Sequence, residues 1–187
     1  MQRYTLVDYE AASPGVRALY DDYLQSTGAP HLPVWVRSLG HSEDLLRAYW
    51  SRAKGSLVSG NVPLVLKELV IFVVSVENGS RYCAACHAHA VLQLDHSFTY
   101  EDLCSMTDSN TLLDLPPAFR AAVTFATRMA RDVNAVDDAD FEGLTEAGFS
   151  HDEVHELLAV IDLAVMFNVY TSAARLPIDP EYRPILS

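Results

Sequence analysis

An all-α fold follows from three observations in this sequence. Apolar residues recur at helical spacing along most of the chain, capping residues and Pro or Gly stops mark off the segments, and no stretch reads as a convincing β-hairpin. Ser13-Pro14 followed by Val16, Leu19, Tyr20 and Tyr23 predicts a capped amphipathic helix ending near Gly28. Residues 29–39, with Pro30 and Pro33, read as a connector that carries Trp35 toward the core. A helix is expected over 43–58, where Leu45, Leu46, Tyr49, Trp50 and Ala53 share a stripe. Asn61, a plausible N-cap, and Pro63 then open the most apolar stretch, 62–77. Its run Leu69-Val70-Ile71-Phe72-Val73-Val74 has the composition of a buried strand, but its length without a turn signal favours a helix, stopped by Asn78-Gly79. Ser80 restarts a helix through about Leu94. Thr99 and Asp102 loosely fit a capping box for a short helix. Pro116-Pro117 leads an amphipathic helix over 118–133, a short helix follows over 138–147, and Ser150 with Glu153 caps a last long helix to about Ala174. Pro177, Pro180 and Pro184 end it.

The 187 residues are half hydrophobic, too apolar for disorder and of a length for one domain. Twenty-five Asp and Glu against thirteen Lys and Arg give a net charge of −12. So acidic a surface repels phosphates, which argues against nucleic acid and anionic membranes as partners. No signal peptide is visible at the N-terminus, and Lys67 and Glu68 interrupt the stretch 62–76, which is shorter than the roughly 20 residues of a membrane span. A cytoplasmic location is expected. The three cysteines, Cys83, Cys86 and Cys104, are too few and odd in number for a secreted disulfide framework, and the close pair points to redox or metal chemistry.

Residues 68–89 concentrate the chemistry. Glu68 lies within an apolar helix, and Lys67 points about 100° away from it around the axis. An unpaired buried carboxylate is costly, so Glu68 either reaches water or has a polar partner. Cys83 falls near the third residue of a helix whose N-cap is Ser80, where free N–H groups and the helix dipole favour a thiolate. His87, four residues on, shares its face and can exchange a proton with it. Cys83-Ala-Ala-Cys86-His87 spells the attachment motif of c-type haem, but nothing supports the export that haem attachment requires. A zinc site from Cys83, Cys86, His87 or His89 lacks a second ligand pair, so neither cofactor nor metal is expected. His151 and His155 form an i,i+4 pair expected in solvent. No phosphate-binding glycine loop occurs.

Lys67-Glu68-Leu-Val-Ile-Phe-Val-Val-Ser75 followed by Asn78-Gly79-Ser80-Arg-Tyr82-Cys83-Ala-Ala-Cys86-His87 resembles the AhpD-like alkylhydroperoxidases of the carboxymuconolactone decarboxylase superfamily. That family's pattern is a glutamate, eleven residues, cysteine, two residues, cysteine, three residues, histidine. It places Glu68 at the glutamate, Ser80 at the first cysteine, Cys83 at the second and His87 at the histidine. Starting the pattern from Cys83 fails, since Ile71 and Ala90 then stand at the glutamate and histidine. The segment from Phe167 to Pro177 also looks like the family's final helix.

The resemblance implies an AhpD-like helical bundle over residues 1–187, with the motif in 62–94, an N-terminal helical extension over about 13–60, and assembly into a homo-oligomer. It implies Cys83 as the thiol that attacks a small hydroperoxide, Glu68 and His87 as a proton relay, Tyr82 and Ser80 within the site, and a dithiol or lipoylated protein as reductant. Ser80 departs from the family by offering a hydroxyl, suited to a cap or a hydrogen bond, where the resolving thiol is wanted. Cys86 offers a shifted C-x-x-C, with its Cα about 5 Å from that of Cys83 in a regular helix, within disulfide reach. Either Cys86 resolves, an external thiol resolves, or the redox cycle is absent. Two rival readings stay open: acid–base chemistry on a lactone by Glu68 and His87, or a catalytically silent oligomeric relative. Arg81 is a candidate to attract an acidic substrate, and Cys104 is expected to be buried.

Overall fold

The structure, a computed structural model, describes residues 3–106 and 115–186. Among them there is no strand. The helices are α1 (Pro14–Thr27), α2 (Val34–Ser38), α3 (Glu43–Ala53), α4 (Leu64–Glu77), α5 (Arg81–Leu94), α6 (Tyr100–Cys104), α7 (Pro117–Arg131), α8 (Asp138–Glu146) and α9 (His151–Ala174), followed by a 3-10 segment, Pro180–Leu186.

Most ends form as the local chemistry predicts. Ser13 accepts from Val16 N to start α1, and Gly28 closes it at φ 68°. Thr99 with Asp102, and Ser150 with Glu153, form capping boxes; each such cap contributes about 1 kcal/mol. Two expectations change. The connector 29–39 contains the short helix α2, which Pro33 opens and which buries Val34, Trp35 and Val36. The helix expected over 43–58 is α-helical only to Ala53 and then widens into a π-type turn, Lys54–Val58.

The ambiguous apolar stretch is α4. Every residue from Leu66 to Ser75 is buried, so the helix is enclosed on all sides, which explains a hydrophobic run without amphipathic period. It packs against α5, α7 and α9. No side chain caps its N-terminus. Asn61 is not the cap: its backbone N–H (2.9 Å) and that of Val62 (3.1 Å) donate instead to the carboxylate of Glu156 on α9. Lys67, 1% exposed, closes the same knot, with Nζ against Glu156 and the carbonyl oxygens of Ser59 and Leu57. Gly60 passes over this carboxylate at φ 108°, where an added Cβ would lie 2.1 Å from Glu156 Oε1, so a side chain has neither the backbone conformation nor the space.

The turn from α4 to α5 uses Gly79 at φ 66°, with Ser80 N donating to Ser75 O at 2.9 Å. This six-to-one bond closes α4 in a Schellman-like turn and starts α5 immediately. α9 is long and apolar enough to cross a membrane by composition alone, yet it threads the bundle and buries Val154, Leu157, Val160, Ile161, Leu163, Ala164 and Phe167.

Candidate active site

A cavity of about 270 Å³ opens between α1, α2, α3, α4, α5, α9 and the 3-10 segment. Glu68, Cys83, Cys86, His87 and Tyr82 all line it. α4 presents Glu68 and α5 presents the other four, so the short Gly79 turn brings the carboxylate opposite the thiols. Glu68 is 8% exposed, and its partner is His87: Nδ1 lies 2.5 Å from Glu68 Oε2. With Glu68 ionised, Nδ1–H donates to the carboxylate, and Nε2 is the ring nitrogen left to accept a proton.

Cys83, 3% exposed, stands third in α5. Its Sγ is 3.3 Å from Thr171 Oγ1, which also lies 3.3 Å from Ser80 Oγ and donates to Phe167 O at 2.8 Å. Ser80 therefore occupies the N-cap position without capping α5 by its side chain; its hydroxyl bonds across to α9. Burial pushes the Cys83 thiol above its ordinary range, with its hydrogen bonds to Thr171 and Ser80 pulling the other way. Cys86 is pushed well above as well, first by burial and then by the charges of Glu68 and Cys83, against a hydrogen bond from Tyr182. Burial thus works against the thiolate expected at a helix N-terminus.

Three contributors come from the late part of the chain. Asp179 is buried; its Oδ2 accepts from Tyr82 Oη at 2.6 Å and its Oδ1 from Val34 N at 2.9 Å. Burial pushes its carboxyl above the ordinary range while those two bonds pull it down. Tyr182 lines the cavity and stacks at a tilt on His89, with centroids 5.2 Å apart. Thr171 is the third. No short-range pattern marks these residues; the clue is that Tyr182 and Leu176 are apolar-bodied residues in a proline-rich stretch that forms no long helix.

Arg81 is exposed and does not line the cavity, so it is no lure for an acidic substrate there. Cys104 is exposed, contrary to expectation, because it ends the short helix α6 at the surface while Leu103 turns inward. His151 and His155 are exposed, with Nε2 atoms 3.1 Å apart, and no group of three or more metal-ligating side chains forms among the described residues.

These features define an AhpD-like helical fold. It matches an alkylhydroperoxidase AhpD core, a peroxidase-related protein from Ralstonia eutropha JMP134, with TM-score 0.81 and 22% identity over 96% of this chain and 93% of that one. A peroxidase-related protein from Silicibacter sp. TM1040 matches with TM-score 0.79 and 21% identity over 97% and 95%. The debrominase Bmp8, as a cysteine-to-alanine variant in complex with 2,3,4-tribromopyrrole, matches with TM-score 0.78 and 21% identity over 100% and 96%. No curated protein matches the chain by sequence. Residues 43–128 match the model of the carboxymuconolactone decarboxylase family.

Proposed function

We propose that this protein is a thiol oxidoreductase that reduces small hydroperoxides, with Cys83 as nucleophile. The carrying observation is that two thiols and a carboxylate–imidazole pair line one cavity. His87, oriented by Glu68, takes the Cys83 proton on Nε2 at the moment of reaction, which suits thiols held neutral by burial. The sulfur attacks the peroxide: an S–O bond forms, the O–O bond breaks, and the departing alkoxide takes the proton back from His87 to leave as an alcohol. Cys83 is then a sulfenic acid. The Cys86 thiol attacks that sulfur, an S–S bond forms, and hydroxide leaves with the Cys86 proton as water. An external dithiol or lipoylated protein returns two electrons to the disulfide. Ser80, lacking a thiol, supports Cys83 by hydrogen bonding, directly and alongside Thr171. Cytoplasmic location and homo-oligomeric assembly belong to the same reading.

Hydroperoxide consumption with dithiothreitol as reductant tests it. Cys83→Ala should abolish turnover, whereas Cys86→Ser should keep sulfenylation of Cys83 and lose the internal disulfide, both read by mass spectrometry. Turnover indifferent to Cys83→Ala overturns the assignment.

A second reading draws on the likeness to Bmp8 and on the pairing of both thiols with an aromatic cavity. Two thiols can reduce a bromoarene, giving the arene, hydrogen bromide and a Cys83–Cys86 disulfide. Release of bromide from a brominated pyrrole, lost in Cys83→Ala, is its measurement.

A further inference from the structure

The cavity's walls say more about its occupant than its reactive groups do. Trp35, Trp50, Tyr23, Phe167, Tyr82 and Tyr182 contribute to its lining. Four of them hold one another edge to face: Trp35 on Phe167 at 4.9 Å, Tyr23 on Trp50 at 5.0 Å, and Tyr23 on Trp35 at 5.7 Å between centroids. Each ring is thus fixed by its neighbours before any ligand arrives. Polar handles are turned to other partners: Trp50 gives its indole N–H to Asp22 at 2.6 Å, and Tyr82 gives its hydroxyl to Asp179. What remains for the cavity is mostly apolar ring surface.

Charge narrows the occupant further. No Lys or Arg lines the cavity among the described residues, and its carboxylate, Glu68, is matched only by His87. An anionic ligand would meet Glu68 with no Lys or Arg to receive it, only the imidazoles of His87 and His89, inside walls too apolar to screen the repulsion. Size fits as well: an apolar cavity of about 150 Å³ takes up benzene, and this one, at about 270 Å³, has room for a ring bearing a reactive substituent.

We infer that the site is built for an uncharged aromatic substrate, its ring held by Trp35, Trp50, Tyr23 and Phe167 and its reactive substituent turned toward Cys83, Cys86 and His87. This rests on the thiol reading above for the chemistry but not for the binding. An arylalkyl hydroperoxide is the class of substrate that meets both.

The two tryptophans of the chain, Trp35 and Trp50, both line the cavity, so intrinsic fluorescence reports its occupancy. The probe is 2-phenylpropan-2-ol, the unreactive product alcohol of cumene hydroperoxide, titrated into the full reduced protein. It should change tryptophan emission saturably, and tert-butanol (no ring) and benzoate (same ring, anionic) should each bind at least tenfold more weakly. Ala90→Leu, which adds bulk to the lining, should weaken the probe at least tenfold. If that variant does not fold, protection of Cys86 in the native protein from N-ethylmaleimide by the same alcohol replaces it. Benzoate or tert-butanol binding as tightly as the probe, or no saturation, overturns the inference. Sulfenylation of Cys83 by cumene hydroperoxide and by hydrogen peroxide, read by mass spectrometry, tests the thiol reading separately: failure with both alongside saturable probe binding removes the chemistry and keeps the aromatic site, and sulfenylation without probe binding removes the aromatic site alone.

Discussion

Lys67 and Glu68 are consecutive residues of one buried helix, and each is paired with a side chain of another helix. Lys67 meets Glu156, and Glu68 meets His87. The about 100° between successive helix positions sends them to opposite sides, where they meet very different surroundings. Around Lys67 every neighbour is engaged: Nζ holds two backbone carbonyl groups as well as Glu156, and the Glu156 oxygens take two backbone N–H groups. Around Glu68 the bond to His87 is made, but the pair faces a cavity with two thiols in it. A saturated pair ties α4, α9 and the turn before α4 together, whereas the Glu68–His87 pair faces the cavity. Similar pairs are fully engaged on one side of α4 and open to the cavity on the other.

That contrast breaks most sharply at Glu68. Glu68→Gln keeps the shape and removes the charge that orients His87, so the rate of Cys83 sulfenylation should fall about a thousandfold, or about 4 kcal/mol in the barrier. Urea unfolding of the same variant should shift little. Lys67→Met is the mirror experiment: it leaves the Glu156 carboxylate without its cation and two carbonyl groups without their Nζ donor, and should cost about 3 kcal/mol of stability, read by urea denaturation, while the folded protein keeps its sulfenylation rate.

A smaller effect is expected at Thr171, whose hydroxyl serves both Ser80 and Cys83. Thr171→Val removes one of the two bonds that pull the Cys83 thiol down, so sulfenylation at pH 7 should slow about tenfold and the pH at which iodoacetamide labels Cys83 should move upward.

The smallest effect lies in acid. Burial pushes the Glu156 carboxyl up, but the bonds from Lys67, Asn61 and Val62 outweigh it and leave it below the ordinary glutamate value of 4.5. A depressed carboxyl adds stability above its unfolded value and loses it as pH falls through the folded one. The melting temperature should therefore drop below about pH 4.5, and Lys67→Met should flatten that drop; an equal slope in both proteins counts against the saturated pair.

Legibility in the sequence followed the range of the interactions. Caps such as Ser13, Thr99 and Ser150 act within three residues and were readable locally. Composition alone left α4 between helix and strand, because β-branched residues suit any fully buried element; its burial on every side is a tertiary property. The α2 helix was hidden by Pro33, which reads as a connector residue and here begins a helix. Asn61 has the chemistry of a cap, yet Glu156, 95 positions away, serves that end instead. The register Glu68, Cys83, His87 could be read because all three lie within one helix–turn–helix. Thr171 and Asp179 could not, since their partners are 88 and 97 positions distant and no periodicity links them. The exposure of Cys104 is not legible locally, because cysteine is so often buried that an exposed one carries no warning in sequence.

Those long spans also have a consequence in time. The thiols on α5 are made long before Thr171, Asp179 and Tyr182 exist to enclose them. At roughly 5–20 residues per second of synthesis, the delay is about 4–20 seconds. During that interval Cys83 and Cys86 lack the burial that holds both protons in place, and they behave as ordinary thiols. The burial of both thiols therefore waits on completion of the α9 helix and the segment after it.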